Sequence, residues 1–191
     1  MKTRVGVLIS GRGSNMAALI EAARAADYPA EIVAVLSNRP DAEGLQRAAE
    51  AGVEAVALDH TAYPSRAAFD AALDAALRAR GVELVACAGY MRVFTKRFVE
   101  AWAGRLINIH PSLLPAFKGL HPQRQALEAG VSVAGCTVHY VTAEVDSGPI
   151  IAQSQVPVLP GDTEETLAAR ILAAEHALYP AALAQVCKSI A

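Results

Sequence analysis

The stretch "VGVLISGRGSNMAALIEAARAA", residues 5–26, changes character twice. Val5, Gly6, Val7, Leu8 and Ile9 form a run without a polar interruption. A strand with one wet face alternates polar and apolar residues, so an unbroken run is expected of a strand buried on both faces, as in a parallel sheet. A short polar loop follows, with Gly11 and Gly13, and residues 16–26 then carry helical spacing. Strand, glycine-bearing loop and helix in direct succession open a βαβ unit.

The same rhythm continues outward. Residues 32–36 and 55–58 read as strands, and residues 43–51 as a helix closed by Gly52. Residues 65–80 form a strong helix that starts at Ser65 and stops at Gly81. Residues 84–88 and 106–109 are two further strands. The alternation predicts an α/β fold around a mostly parallel sheet with right-handed crossovers. Beyond residue 131 the strands 133–141 and 150–158 are joined only by residues 142–149. That is too short for a helical crossover, so this C-terminal pair is expected to be antiparallel. Asp162, with Glu165 three residues on, predicts the cap of a last long helix, which Pro180 would kink or divide. No linker or repeat is visible, and one domain over residues 1–191 is expected.

Composition narrows the class. Apolar residues make up 53% of the 191 positions, as in a globular protein. Formal net charge is -2, without a long Lys or Arg run, which argues against nucleic-acid or membrane partners. No stretch approaches the roughly 20 apolar residues of a membrane span, and the start of the chain lacks the pattern of a signal peptide. Cys87, Cys136 and Cys187 are an odd, widely spaced set, which fits reduced thiols and a cytoplasmic location. The five histidines show no metal-ligand spacing, so no metal is expected. Cys87, inside an apolar strand, reads as core.

Three loops can carry chemistry. In "SGRGSN", residues 10–15, backbone amides at a helix start can meet an anion, with Ser14 and Asn15 beside them. Met16 stands where a dinucleotide fingerprint wants its third glycine, and the GK[ST] of a P-loop is missing, which leaves a monophosphate or a plain capped turn. In "NIHPSLLP", residues 108–115, Asn108 and His110 alternate along an ending strand and can face the same way. An imidazole moves protons near neutral pH and a carboxamide N–H can donate to an oxyanion, although a buried structural pair would look the same. In residues 141–150, Asp146 precedes Ser147, Gly148 and Pro149. Its carboxylate could reach His110 and favour the imidazolium, or simply make the turn.

Taken in order, SGRGSN, "AGYMR" at 88–92, NIHPSLLP and the Asp-Ser-Gly-Pro turn resemble the folate-dependent formyltransferases over essentially the whole chain. The resemblance implies a Rossmann-like three-layer sandwich with small-molecule substrates, as a monomer or homodimer. It implies transfer of the formyl group of 10-formyltetrahydrofolate to the amine of N1-(5-phospho-D-ribosyl)glycinamide in purine biosynthesis, through a tetrahedral intermediate. Asn108, His110 and Asp146 match the family's catalytic trio. Gly13, Ser14, Asn15 and Glu175 match its ribonucleotide side. Arg66, Met91, Arg92, Val93 and Phe94, together with Asn108, Thr142, Ala143, Glu144, Val145 and Asp146, match its folate side. The residues near 122 and 123 fit the family pattern less closely. Two relatives share the Asn-x-His loop, one acting on methionyl-tRNA and one hydrolysing the formyl folate. Both are expected to carry a second domain, which this chain is not expected to have. A phosphate-binding module without turnover is the rival of another class.

Overall fold

The computed structural model describes all of residues 1–191. Seven strands form one sheet in the order β3-β2-β1-β4-β5-β6-β7. They are β1 (Thr3–Ile9), β2 (Ala30–Ser37), β3 (Glu54–Ala57), β4 (Leu84–Cys87), β5 (Leu106–His110), β6 (Val133–Tyr140) and β7 (Ile150–Pro157). The first five are parallel, and β6 runs antiparallel to both β5 and β7. The expected antiparallel pair is therefore present, and its reversal begins one strand earlier, at the β5–β6 edge.

Helices cover both faces. On one side, Val5, Val7 and Ile9 pack with Met16 and Leu19 of α1 (Ser14–Ala23) and with Tyr179 and Leu183 of α6 (Glu164–Ile190). On the other, Leu8 and Leu36 meet Phe69, Leu73 and Leu77 of α3 (Arg66–Ala79) and Phe98 of α4 (Lys96–Ala101). Burial of these side chains, each worth about 1.5–3 kcal/mol, is the main force holding three layers together. Gly6 lies where α3 presses closest, since a Cβ there would stand 2.8 Å from Leu77.

Several expectations shift. Helix α1 ends at Ala23, not 26, as residues 24–28 turn toward Pro29 and β2. Helix α3 starts where expected, capped by Ser65, whose hydroxyl accepts from the Ala68 N–H. The cap of α6 is Thr163 with Thr166 as its reciprocal partner, not Asp162 with Glu165. Asp162 is already committed: it accepts from the Leu159 N–H and holds Arg170 at 2.7 and 2.9 Å. The hydrogen bonds from Arg170 and the Leu159 amide hold its carboxyl well below the usual carboxylate range. Pro180 does not divide α6, which runs unbroken. Packing of Tyr179, Ala182 and Leu183 into the core outweighs the lost backbone bond. Two short helices, α4 and α5 (Pro122–Glu128), lacked a periodic signal because six or seven residues barely complete two turns.

Candidate active site

The strand order reverses at β1, which lies between β2 and β4, and a cavity of about 560 Å³ opens at the carboxyl ends of β1, β4 and β5. Ligands of open α/β sheets bind in such a crevice, and the size suits a drug-sized molecule.

The wall after β1 is rigid. Gly13 caps α1 with φ of 72°, and Gly44 of α2 (Glu43–Glu50) packs so closely that a Cβ there would strike Ile9 and Gly11. The first amides of α1 have no helical acceptor, which prepares them for an anion. Beside them, Asn15 Nδ2 lies 3.5 Å from Glu175 Oε1, while Asn15 Oδ1 is buried without a partner. Burial pushes the Glu175 carboxyl up to about 7, against the pull of the Asn15 hydrogen bond.

The wall after β4 is residues 89–94, which all line the cavity. The Tyr90 ring stacks on Phe94 with centroids 5.1 Å apart, and Phe94 on Phe98 at 4.7 Å. The Arg92 guanidinium lies 5.0 Å from the centre of the Phe69 ring, with Nε buried and unpaired.

The floor comes from β5, β6 and the turn between β6 and β7. His110 is 6% exposed. Its Nδ1 lies 3.5 Å from Asp146 Oδ2, and its Nε2 lies 2.9 Å from the Phe117 carbonyl. With both nitrogens protonated, each N–H would face an acceptor. Asp146 adopts φ of 51° and also accepts from the Gly119 N–H at 2.9 Å. Its turn closes tightly: a Cβ on Gly148 would run into the Tyr140 carbonyl.

Asn108 has a partner that sequence reasoning passed over. The β5–β6 register places it opposite His139, and Asn108 Nδ2 lies 3.3 Å from His139 Nε2. His139 Nδ1 faces the Tyr140 carbonyl at 3.0 Å. Burial pushes His139 below its usual range, so the neutral ring is favoured. That ring donates through Nδ1 and accepts at Nε2, which fixes the Asn108 amide with its nitrogen inward and its second N–H free. Asp146 Oδ1 stands 3.8 Å from the same Nε2.

The structure thus brings together fifteen of the residues singled out by sequence around the cavity: Gly13, Ser14, Asn15, Met91, Arg92, Val93, Phe94, Asn108, His110, Thr142, Ala143, Glu144, Val145, Asp146 and Glu175. Arg66 stands apart, exposed at the first turn of α3 and outside that lining. The signal for His139 was only that it sits in a strand two residues before the turn.

A fixed carboxamide, an imidazole between two acceptors and an open helix start around one cavity fit acyl-group chemistry on a phosphorylated substrate. The family model described as formyl transferase matches residues 3–183, and the chain belongs to that family. It is 47% identical over 174 residues to the phosphoribosylglycinamide formyltransferase of Escherichia coli, covering 91% of this chain and 82% of that protein. It is 55% identical over 185 residues to the trifunctional purine biosynthetic protein adenosine-3 of Drosophila pseudoobscura pseudoobscura, covering 96% of this chain but 14% of that protein. The chain thus spans a small fraction of the length of the trifunctional relatives it matches. The crystal structure of glycinamide ribonucleotide transformylase 1 from Symbiobacterium toebii superposes with a TM-score of 0.96 at 56% identity, over 98% of this chain and 89% of that one.

Proposed function

We propose that this protein transfers the formyl group of 10-formyltetrahydrofolate to the primary amine of N1-(5-phospho-D-ribosyl)glycinamide, a step of purine biosynthesis. The observation that carries the reading is the cluster of Asn108, His110 and Asp146 on the floor of a cavity walled by an anion-ready helix start and an aromatic segment whose backbone is largely unpaired. The ribonucleotide phosphate docks on the amides of Gly13, Ser14 and Asn15, with Glu175 beside its sugar. The folate lies between residues 91–94 and 142–146, where Arg92 is free to meet a carboxylate of its tail.

The amine attacks the formyl carbon, and charge collects on the formyl oxygen. The second N–H of Asn108 and the Nε2–H of His110 converge on that oxygen. His110 first exchanges the Phe117 carbonyl for the oxyanion. In the doubly protonated ring the Nδ1–H donates to the Asp146 carboxylate, which orients the Nε2–H toward the oxyanion. As the tetrahedral intermediate collapses, the carbon–nitrogen bond to the folate breaks. The proton given up by the attacking amine balances the one gained by the departing folate nitrogen.

The test is a spectrophotometric assay of 10-formyl folate loss, run with and without the ribonucleotide. Loss that depends on the ribonucleotide is expected. Loss without it would replace the transfer reading with hydrolysis. His110→Ala should lower kcat by about 10²–10⁴ while ribonucleotide binding persists. A variant that keeps nearly full turnover would sink the catalytic assignment.

A further inference from the structure

Side chains tie the carboxyl edge of the sheet together beyond its last ladder bonds. Ser10 directly follows β1, Asn38 directly follows β2, and Met91 lies in the segment after β4. The Ser10 hydroxyl donates to Asn38 Oδ1 at 2.5 Å, and the Met91 N–H donates to the same hydroxyl oxygen at 2.8 Å. Asn38 is anchored in turn by His60, whose Nδ1 lies 2.9 Å from the Asn38 carbonyl. Because β3, β2, β1 and β4 are neighbours in that order, these contacts cross four strand ends. Ser10 and Asn38 are both buried, so water does not compete for the bond between them.

The significance of Ser10 lies in what it holds. Between β4 and α4 the chain has no regular structure. The ends of this segment are pinned by the Ala88 N–H on the Leu8 carbonyl and the Thr95 N–H on Asp70 Oδ2. Across residues 89–94, the Met91–Ser10 bond is the only hydrogen bond that a backbone group makes within the protein. The other N–H and C=O groups remain available to a ligand, and all six residues line the cavity. A backbone that reads a ligand must be held in one orientation by its surroundings. A serine hydroxyl has one hydrogen, and here it goes to Asn38, so toward Met91 the oxygen can only accept. The direction of the Met91 peptide is thereby fixed.

The geometry assigns to Ser10 the role of a positioning residue. Its hydroxyl, oriented by Asn38, sets the Met91 peptide so that residues 89–94 present their backbone to the folate. Because Ser10 is also the root of the glycine loop, one side chain joins the folate wall to the phosphate wall. This assignment rests on the formyl-transfer reading above.

The experiment is Ser10→Ala in the full chain, with each substrate varied in turn. The KM for 10-formyl folate should rise roughly five- to tenfold, as expected when a part-buried donor loses its partner. The KM for the ribonucleotide and kcat at saturation should stay within about twofold, because the reacting groups are untouched. Hydrogen exchange of the Met91 amide, read by NMR, should speed up by at least about tenfold in the same variant. Ser10→Thr, which keeps the hydroxyl, should restore both readouts. Should Ser10→Ala fail to fold, Asn38→Ala, which frees the hydroxyl to rotate, should raise the folate KM selectively. Equal changes in both KM values, no change in either, or an unchanged Met91 amide would overturn the assignment. A wild-type protein that neither binds nor turns over the folate would overturn the formyl-transfer reading itself, and this assignment with it.

Discussion

His139 orients the Asn108 amide, one of the groups proposed to act on the formyl oxygen. A carboxamide is useful at an oxyanion only if its nitrogen faces inward, and nothing in Asn108 itself prefers that orientation. The neutral His139 ring settles it, since Nδ1 is engaged by the Tyr140 carbonyl and Nε2 is left as an acceptor for Asn108 Nδ2. Replacing His139 by Ala should let the amide rotate. We expect kcat to fall roughly tenfold to a hundredfold, short of the ~10²–10³ lost on deleting an oxyanion donor outright. The ribonucleotide KM should hardly move, because the helix start proposed for its phosphate follows another strand. Steady-state kinetics on the variant decide the point, and an unchanged kcat would mean that Asn108 is oriented by something else. His139 was not legible as a partner in the sequence because its relation to Asn108 arises from antiparallel register across 31 positions. Asn108 and His110 were legible, since two positions on one strand must share a face whatever the fold around them.

At the scale of elements, the turn between β6 and β7 sets how Asp146 meets His110. Asp146 reaches His110 only because the chain reverses tightly behind it, with Gly148 against the Tyr140 carbonyl and the Tyr140 N–H donating to Pro149. Gly148→Ala should force that reversal open and draw Asp146 away from His110. Since the turn is at the surface, the thermal midpoint should fall only modestly, by the equivalent of about 1–3 kcal/mol of overpacking. The turnover loss should be larger, approaching ~10²-fold, because small misplacements of catalytic groups are expensive. Kinetics and a melting curve on one preparation separate the two effects, and equal, small losses in both would refute the link. The long elements around this turn were readable because each repeats its signal over many residues. The cap of α6 was misplaced by one residue because Asp162, Thr163 and Thr166 are all good cap chemistry. The Leu159 N–H and the distant Arg170 together remove Asp162 from the choice.

For the whole molecule, the sheet order places residues from both ends of the chain in one crevice, with Asn15 of α1 against Glu175 of α6. The residues alone show Asn15 ending a polar loop and Glu175 inside an alanine-rich helix, and only the family resemblance put both beside one substrate. Their meeting has a consequence for global stability. Burial pushes the Glu175 carboxyl to about 7, whereas in the unfolded chain it titrates near 4.5. Between those values the folded state holds a proton that the unfolded state has released, so this group makes stability fall as pH rises through the window. His139 acts in the opposite sense: its folded value lies below 6.5, so its contribution is present above 6.5 and lost as pH falls. The two slopes partly cancel in the wild type, and removing one exposes the other. Glu175→Gln stands in for the protonated carboxyl at every pH. Its stability relative to the wild type should therefore grow between pH 5 and 8, by up to about 3 kcal/mol. For a chain of this size that corresponds to roughly 6–12 °C in the thermal midpoint. Ribonucleotide binding should weaken in the same variant at pH 8, where the wild type presents a carboxylate. Melting curves across the pH range measure the first effect and titration calorimetry the second. A difference in midpoint that stays flat from pH 5 to 8 would show that Glu175 titrates as an ordinary surface carboxylate and that the crevice is wetter than its packing indicates.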